Sequence, residues 1–329
     1  MYNTGRNAYR QILPGVSLGV FVIIGMALLC GVSNVFDLLA DYRWPFFGMA
    51  ILLSLLNSFL RFLKRQYYLS LSGVGRLSFM KSIRLFAASF PLAATPIRVG
   101  ESYKGLWLNH YAGIPVTRSI SVYTIDHIFD GLSVFALSLF GSLAFPMLWP
   151  IFAIIFGFFV IAIFSLSAKQ GSSSAFELRE NLRFLEVYLP DLRKSIEENP
   201  MLFRPGIMTL TFIMGLVSWF ADGLALYFIL LGLGLTASWV LVGISFLVFS
   251  FSLLIGVVSN LPGGLGVVEL AMAAFLTIFL GAHPGYAVVA TILFRLVTFW
   301  AAFGVGMLVW TFSGKNLGIQ NQEGRVIES

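Results

Sequence analysis

The chain has 329 residues, of which 58% are hydrophobic and only 11% charged, with 21 Lys and Arg against 15 Asp and Glu for a formal net charge of +6. Soluble domains carry about 25% charged residues, so this composition excludes a water-soluble fold of that length and implies an integral membrane protein. One cysteine, Cys30, and three histidines far apart in sequence, His110, His127 and His283, exclude a disulfide framework and point to no metal site. The Lys and Arg sit between apolar runs, so the positive balance reads as membrane topology and contact with anionic headgroups, with no nucleic acid as partner.

A spanning helix needs about 20 mainly apolar residues. Runs of that kind fall at about 12–36, 44–63, 119–145, 147–168, 207–231, 236–258 and 285–312. Two further apolar segments are interrupted. The first, 85–97, is broken by Pro91 and Pro96; the second, 261–281, opens with Leu-Pro-Gly-Gly-Leu-Gly and carries Glu269. Such segments survive at membrane depth as re-entrant or broken helices surrounded by protein or a watery cavity. Between them, 169–204 forms the one long polar stretch, with Phe184, Leu185, Tyr188, Leu189 and Leu192 at helical spacing, which predicts an amphipathic helix.

The segment 61–84 holds Arg61, Lys64, Arg65, Arg76, Lys81 and Arg84 and no acid, which reads as a cytoplasmic loop and places the N-terminus and 169–204 on the cytoplasmic side. Thr95-Pro-Ile-Arg-Val-Gly-Glu101 and Leu261-Pro-Gly-Gly-Leu-Gly-Val-Val-Glu269 each run Pro, Gly four residues on, then Glu. Paired broken segments of this kind indicate an internal repeat with a substrate site at its interface, with chance similarity of Gly/Pro-rich stretches as the rival explanation. The expected fold is therefore all-α: a polytopic transmembrane helical bundle of seven or eight spans with two broken or re-entrant helices, in one domain over 1–329.

Charges within spans cost about 2.5–3.5 kcal/mol each on insertion scales, so they are functional candidates by default. Asp126 and Asp130 share one helical face with His127 beside the first; Asp222 interrupts 212–231; Glu269 lies in the second broken segment and Arg295 in the last span. Arg98, Glu101 and Lys104 recur every three residues after the first break. Each has a structural alternative. The aspartates can fix helix packing, Arg295 can neutralise Glu269 or Asp222 as a buried pair, and 98–104 can be a solvated interfacial face. Their concentration beside both breaks favours a cavity for something polar. No Walker A sequence, strand-borne dinucleotide fingerprint or nucleophile elbow is present, so no nucleotide or other cofactor is expected.

The block Pro96-Ile-Arg-Val-Gly-Glu101-Ser-Tyr-Lys104, with Gly113-Ile-Pro115 and Asp126-His-Ile-Phe-Asp130, resembles one of the flippase-like family, the membrane region of lysylphosphatidylglycerol synthases, also found as stand-alone membrane proteins. Leu261–Glu269 with Arg295 is similar to that family's second block, and Asn57-Ser-Phe-Leu-Arg61 and Tyr67-Tyr68 to its early segment. At 126–127 this chain reads Asp-His where many members carry Glu-Arg, while Asp130 matches. The resemblance implies a helical bundle with two re-entrant elements, a lipid-handling cavity, and movement of a lipid or lipid-linked headgroup between leaflets. The soluble aminoacyl-transferase domain of bifunctional members has no counterpart before Ser329, so a non-enzymatic role is expected.

The expectation is a transporter in the plasma membrane whose substrate, a phospholipid or polyprenyl-linked glycolipid, passes its headgroup through a cavity lined by Arg98, Glu101, Lys104, Asp126, Asp130, Glu269 and Arg295. The cations would contact phosphate and the acids orient them. Pro96, Gly100, Pro262, Gly263, Gly264 and Gly266 would make the breaks, with Gly263, Gly264 and Gly266 offering backbone amides to an anion at a helix start. The competing expectations are a proton- or ion-coupled carrier of a small polar solute and a membrane enzyme acting on lipid-linked sugars.

Overall fold

The computed structural model describes residues 4–71, 78–95, 97–150, 152, 154, 199–259, 261–281 and 284–313, and all regular structure among them is helical. The helices are α1 (Thr4–Leu29), α2 (Val32–Ala40), α3 (Trp44–Leu71), α4 (Phe79–Ala88), α5 (Ile97–Ala112), α6 (Val116–Ser142), α7 (Pro205–Gly232), α8 (Trp239–Val258), α9 (Val267–Leu280), α10 (Pro284–Arg295) and α11 (Ala301–Ser313). Short 3₁₀ turns at Pro91–Ala94 and Pro262–Gly264 precede α5 and α9. A π-helical turn, Leu296–Trp300, joins α10 to α11. Most of the expected span at 147–168 and of the polar stretch 169–204 lies outside the described residues, as do Pro96 and His283.

Seven segments are long and apolar enough to cross a membrane: Ile12–Leu29, Trp44–Leu71, Val116–Ser142, Pro205–Gly232, Trp239–Val258, Pro262–Leu280 and Pro284–Phe312. The second broken segment is thus a candidate span in its own right. The run expected at 12–36 divides into α1 and α2 at Cys30–Gly31.

Burial is inverted relative to a soluble protein. On α3, Leu52, Leu55 and Phe59 are exposed, while Asn57 and Lys64 are buried at 4% and 1%. In water that arrangement would strand apolar surface and desolvate charge; in lipid it is what backbone and side-chain satisfaction demand.

α3 also corrects the sequence reading of 61–84 as a loop. It continues as helix through Arg61, Lys64 and Arg65 to Leu71. Two of these basic residues, Arg61 and Lys64, are met by carboxylates of α6. α3 packs along α7, and α6 lies against both of these helices and α8. The α6–α8 crossing is built from small residues: a Cβ on Gly141 would sit 2.5 Å from the backbone nitrogen of Leu247 and 2.9 Å from the carbonyl oxygen of Gly243. Small residues at a crossing let membrane helices approach closely enough for dispersion to hold them.

The two breaks meet. The Pro91–Ala94 and Pro262–Gly264 turns touch, and Gly15 of α1 covers the junction, with the Ala94 carbonyl oxygen 2.6 Å from where its Cβ would stand. α11 braces the first break, Trp310 being fully buried and donating its indole N–H to the Ala88 carbonyl at 2.7 Å. Gly141→Val should lower stability by about 1–3 kcal/mol through overpacking against backbone. Gly48→Val, where nothing lies within 4 Å of the added carbon, should not. Thermal melts of the detergent-solubilised protein distinguish the two.

Candidate functional site

α3 presents polar residues at three- and four-residue spacing: Ser54, Asn57, Arg61, Lys64 and Tyr68. Such spacing stacks them on one helical face, and the 14 steps from Ser54 to Tyr68 extend about 21 Å. The stripe is roofed by α6, α7 and the π turn. Ser54 Oγ donates to the Val297 carbonyl at 3.2 Å, and Asn57 Nδ2 to the Ser218 carbonyl at 2.8 Å.

At its centre Lys64 Nζ lies 2.7 Å from Asp126 Oδ1 and 2.5 Å from Asp130 Oδ1. α6 carries these two carboxylates one turn apart, so a single ammonium bridges both. α7 comes in through Gly215, where a Cβ would be 2.6 Å from Ser133 Oγ and 3.6 Å from Lys64 Nζ; any larger residue would push the third helix away. Arg61 Nη2 reaches Asp130 Oδ2 at 3.4 Å, and its guanidinium carbon stands 4.8 Å from the centre of the Trp219 ring. Two cations and two carboxylates make the group neutral, which is the condition for keeping full charges in a dry bundle. Arg61 is its accessible member, with 34% of the side chain exposed. Asp222, one turn beyond Trp219 on α7, is buried, and its Oδ1 accepts no hydrogen bond among the described residues.

Glu101 and His127 lie beside this group: Nε2 is 3.3 Å from Glu101 Oε1, a contact that becomes an ion pair when the imidazole is protonated. Arg98 is placed on α5, but its side chain lies outside the described residues. Lys104 Nζ stands 5.2 Å from the centre of the Tyr123 ring.

Glu269 and Arg295 form a second group, partnered by each other and by the second break. Arg295 Nε donates to Glu269 Oε1 at 2.6 Å, Nη2 approaches the Gly263 carbonyl at 3.5 Å, and the guanidinium carbon lies 4.5 Å from the Phe299 ring centre. Glu269 is fully buried and its Oε2 accepts the Gly266 N–H at 2.7 Å. Gly263, Gly264 and Gly266 have φ of 61°, 62° and 87°, left-handed conformations that glycine adopts without strain. A Cβ on Gly263 would also meet the Ala93 carbonyl oxygen at 2.9 Å, so the first break needs glycine there too.

The expectation that these glycines offer amides to an anion is corrected for Gly264 and Gly266. The amides of Gly264 and Leu265 bond the Leu261 and Pro262 carbonyls, and that of Gly266 bonds Glu269. The carboxylate of α9 itself occupies the positive end of its helix. The first break falls at Pro91, one of the two prolines expected to make it: its 3₁₀ turn opens there and closes with Thr95 Oγ1 donating to the Leu92 carbonyl at 2.6 Å. Gly100 sits where a side chain would press on that turn, 3.0 Å from the Leu92 oxygen.

The seven expected lining residues thus divide between two ion-pair groups and the α5 stripe. Sequence reasoning omitted Lys64 and Arg61 from the site because their basic neighbours suggested a loop; the regular polar spacing from Ser54 to Tyr68 inside an apolar run was the available signal. Removing one partner of a buried pair costs about 3–5 kcal/mol, because the other charge is left uncompensated. Arg295→Met should therefore destabilise strongly, and Glu269→Gln together with Arg295→Met should recover much of that loss, read as thermal midpoints in detergent.

Residues 16–306 match the family described as the lysylphosphatidylglycerol synthase TM region. The chain is 23% identical over 312 residues to a UPF0104 membrane protein of Methanothermobacter thermautotrophicus, covering 89% of this chain and 90% of that protein. It is 25% identical over 235 residues to a UPF0104 membrane protein of Methanocaldococcus jannaschii, covering 68% of this chain and 93% of that one. Both ion-pair groups, from Arg61 to Arg295, fall inside the matched span, and the chain is an integral membrane protein of the lysylphosphatidylglycerol synthase transmembrane-region family.

Proposed function

We propose that this chain moves a membrane lipid, a phospholipid or polyprenyl-linked glycolipid, between the leaflets of the plasma membrane, its headgroup travelling along the polar face of α3 while the tail stays in lipid. The observation that carries the reading is the polar stripe from Ser54 to Tyr68, buried except at Arg61, whose length of about 21 Å is some two-thirds of a hydrocarbon core of about 30 Å. A flippase has no bond to break. Its barrier is the desolvation of a polar headgroup, and a row of hydrogen-bonding groups across the core removes most of it.

Arg61 is the group an anionic headgroup would recruit. Its contact with Asp130, at 3.4 Å, is looser than either Lys64 contact, and Trp219 stabilises its guanidinium without occupying its N–H donors. Lys64, fully buried and doubly paired, holds the two aspartates in place while Arg61 exchanges partners. The proposed orientation rests on charge: Arg65, Lys81, Arg84, Lys104 and Arg118 fall between the C-terminal end of α3 and the start of α6, which by the positive-inside rule supports a cytoplasmic side for that region.

In proteoliposomes bearing fluorescent phosphatidylglycerol or polyprenyl phosphate, wild-type protein should expose the inner-leaflet label to an external quencher. Arg61→Gln should slow that exposure about tenfold, the loss of one charge-assisted contact, and Arg61→Lys should fall between. Undiminished translocation in Arg61→Gln overturns the role of the stripe. Gradient-driven uptake of a soluble solute with no lipid exchange would instead establish an ion-coupled carrier.

A further inference from the structure

α7 carries a carboxyl that neither ion-pair group uses. Asp222 is 5% exposed, and its Oδ1 accepts no hydrogen bond among the described residues. One turn before it, the buried indole Nε1 of Trp219 is also without an acceptor. The helices packed on α7 are α3, α6, α8 and α10, and they offer little to meet a carboxylate. α8 has no titratable side chain, and Arg295 of α10 is held by Glu269. On α6, Asp126 and Asp130 are themselves acids bound to Lys64 of α3, and His127 lies against Glu101. That leaves Arg61, the charged side chain that acts on Asp222.

Arg61 is already shared. Its Nη2 lies 3.4 Å from Asp130 Oδ2, and its guanidinium carbon stands 4.8 Å from the centre of the Trp219 ring, one turn from Asp222. One guanidinium can neutralise a carboxylate on α6 or one on α7, not both. Lys64, Arg61, Asp126 and Asp130 already sum to zero, so an ionised Asp222 would leave a net negative charge in a dry bundle. An isolated buried carboxyl escapes that cost by taking a proton. A metal ion fits poorly, because no cluster of three or more His, Cys, Asp or Glu side chains forms among the described residues and the nearby guanidinium repels a cation.

We propose that Asp222 is a proton-binding site that couples proton movement to lipid translocation, the proton and an anionic headgroup travelling together in one direction. The inference rests on the translocation reading and adds its energy source. The coupling is electrostatic. With Asp222 ionised, a phosphate approaching Arg61 meets a second negative charge beside the cation; with Asp222 neutral, it does not. Protonation therefore favours headgroup binding, and by reciprocity a bound headgroup holds the proton on Asp222. The proton is taken from water on the side of uptake and returned to water on the other. A monoanionic lipid and one proton carry no net charge, so the pair crosses without work against the membrane voltage.

Two readouts test this. Full-length protein is placed in phosphatidylcholine vesicles with trace fluorescent phosphatidylglycerol starting in the inner leaflet, the voltage clamped at zero with potassium and valinomycin. With the interior more acidic by about one pH unit, wild type should bring the label to an outer-to-inner ratio of about ten, one proton per lipid, while protein-free vesicles show no exchange. A sodium gradient should leave the ratio near one. Asp222→Asn, which keeps the shape of the neutral side chain, should let the label plateau near one under the pH gradient. A wild-type ratio near one, or a tenfold ratio retained in Asp222→Asn, overturns the proton site and leaves translocation standing. In detergent at neutral pH, the infrared difference between wild type and Asp222→Asn should contain the carbonyl band of a protonated carboxyl; its absence overturns the site whatever the vesicles do. With that band present, a wild-type protein that never moves the label sinks the translocation reading alone. Should Asp222→Asn fail to fold, the wild-type ratios under proton and sodium gradients still decide.

Discussion

A lysine ammonium held between two carboxylates, with lipid-facing helices around it, sets the terms for the rest of this bundle. Lys64 can be desolvated only because Asp126 and Asp130 stand one turn apart on α6, and those carboxylates can be desolvated only because Lys64 and Arg61 meet them. The requirement is geometric. α3 and α6 must keep their register, and α7 must approach closely enough to keep the pair dry, which Gly215 and Ser133 permit. A neutral quartet of full charges is expensive to assemble and hard to rearrange piecemeal, so it fixes three helices relative to one another more firmly than apolar packing in lipid would.

The breaks obey a related rule. Non-helical backbone within the apolar region must find its own hydrogen-bond partners. At Pro262–Gly264 the carboxylate of Glu269 serves the Gly266 amide with one oxygen and Arg295 with the other, so one side chain both caps a helix and neutralises a cation. At Pro91–Ala94 the Thr95 hydroxyl and the Trp310 indole serve the turn and the helix before it. Because the two turns touch, each also shields the other from lipid.

The apolar runs were legible in the sequence because bilayer thickness imposes a length that composition alone reveals. Both breaks were legible as Pro/Gly interruptions, the first of them at Pro91. Glu269 and Arg295 could be named as potential partners since each was a lone charge in an apolar segment; choosing between Glu269 and Asp222 required knowing which helices touch. The Lys64 group was hidden for a different reason. A cluster of basic residues at the end of an apolar run has the same composition whether it is a loop or a helix answering carboxylates elsewhere, and only long-range contact separates the two.

The π turn at Leu296–Trp300 makes the last candidate span two half-helices with different allegiances. An inserted residue rotates everything beyond it by about 100° relative to an unbroken α-helix. The inner half thereby keeps Arg295 turned to the second break, while the outer half turns Gly306 and Trp310 to α4 and the first. One continuous chain segment is keyed to both breaks at once, as a latch with two bolts cut at different angles.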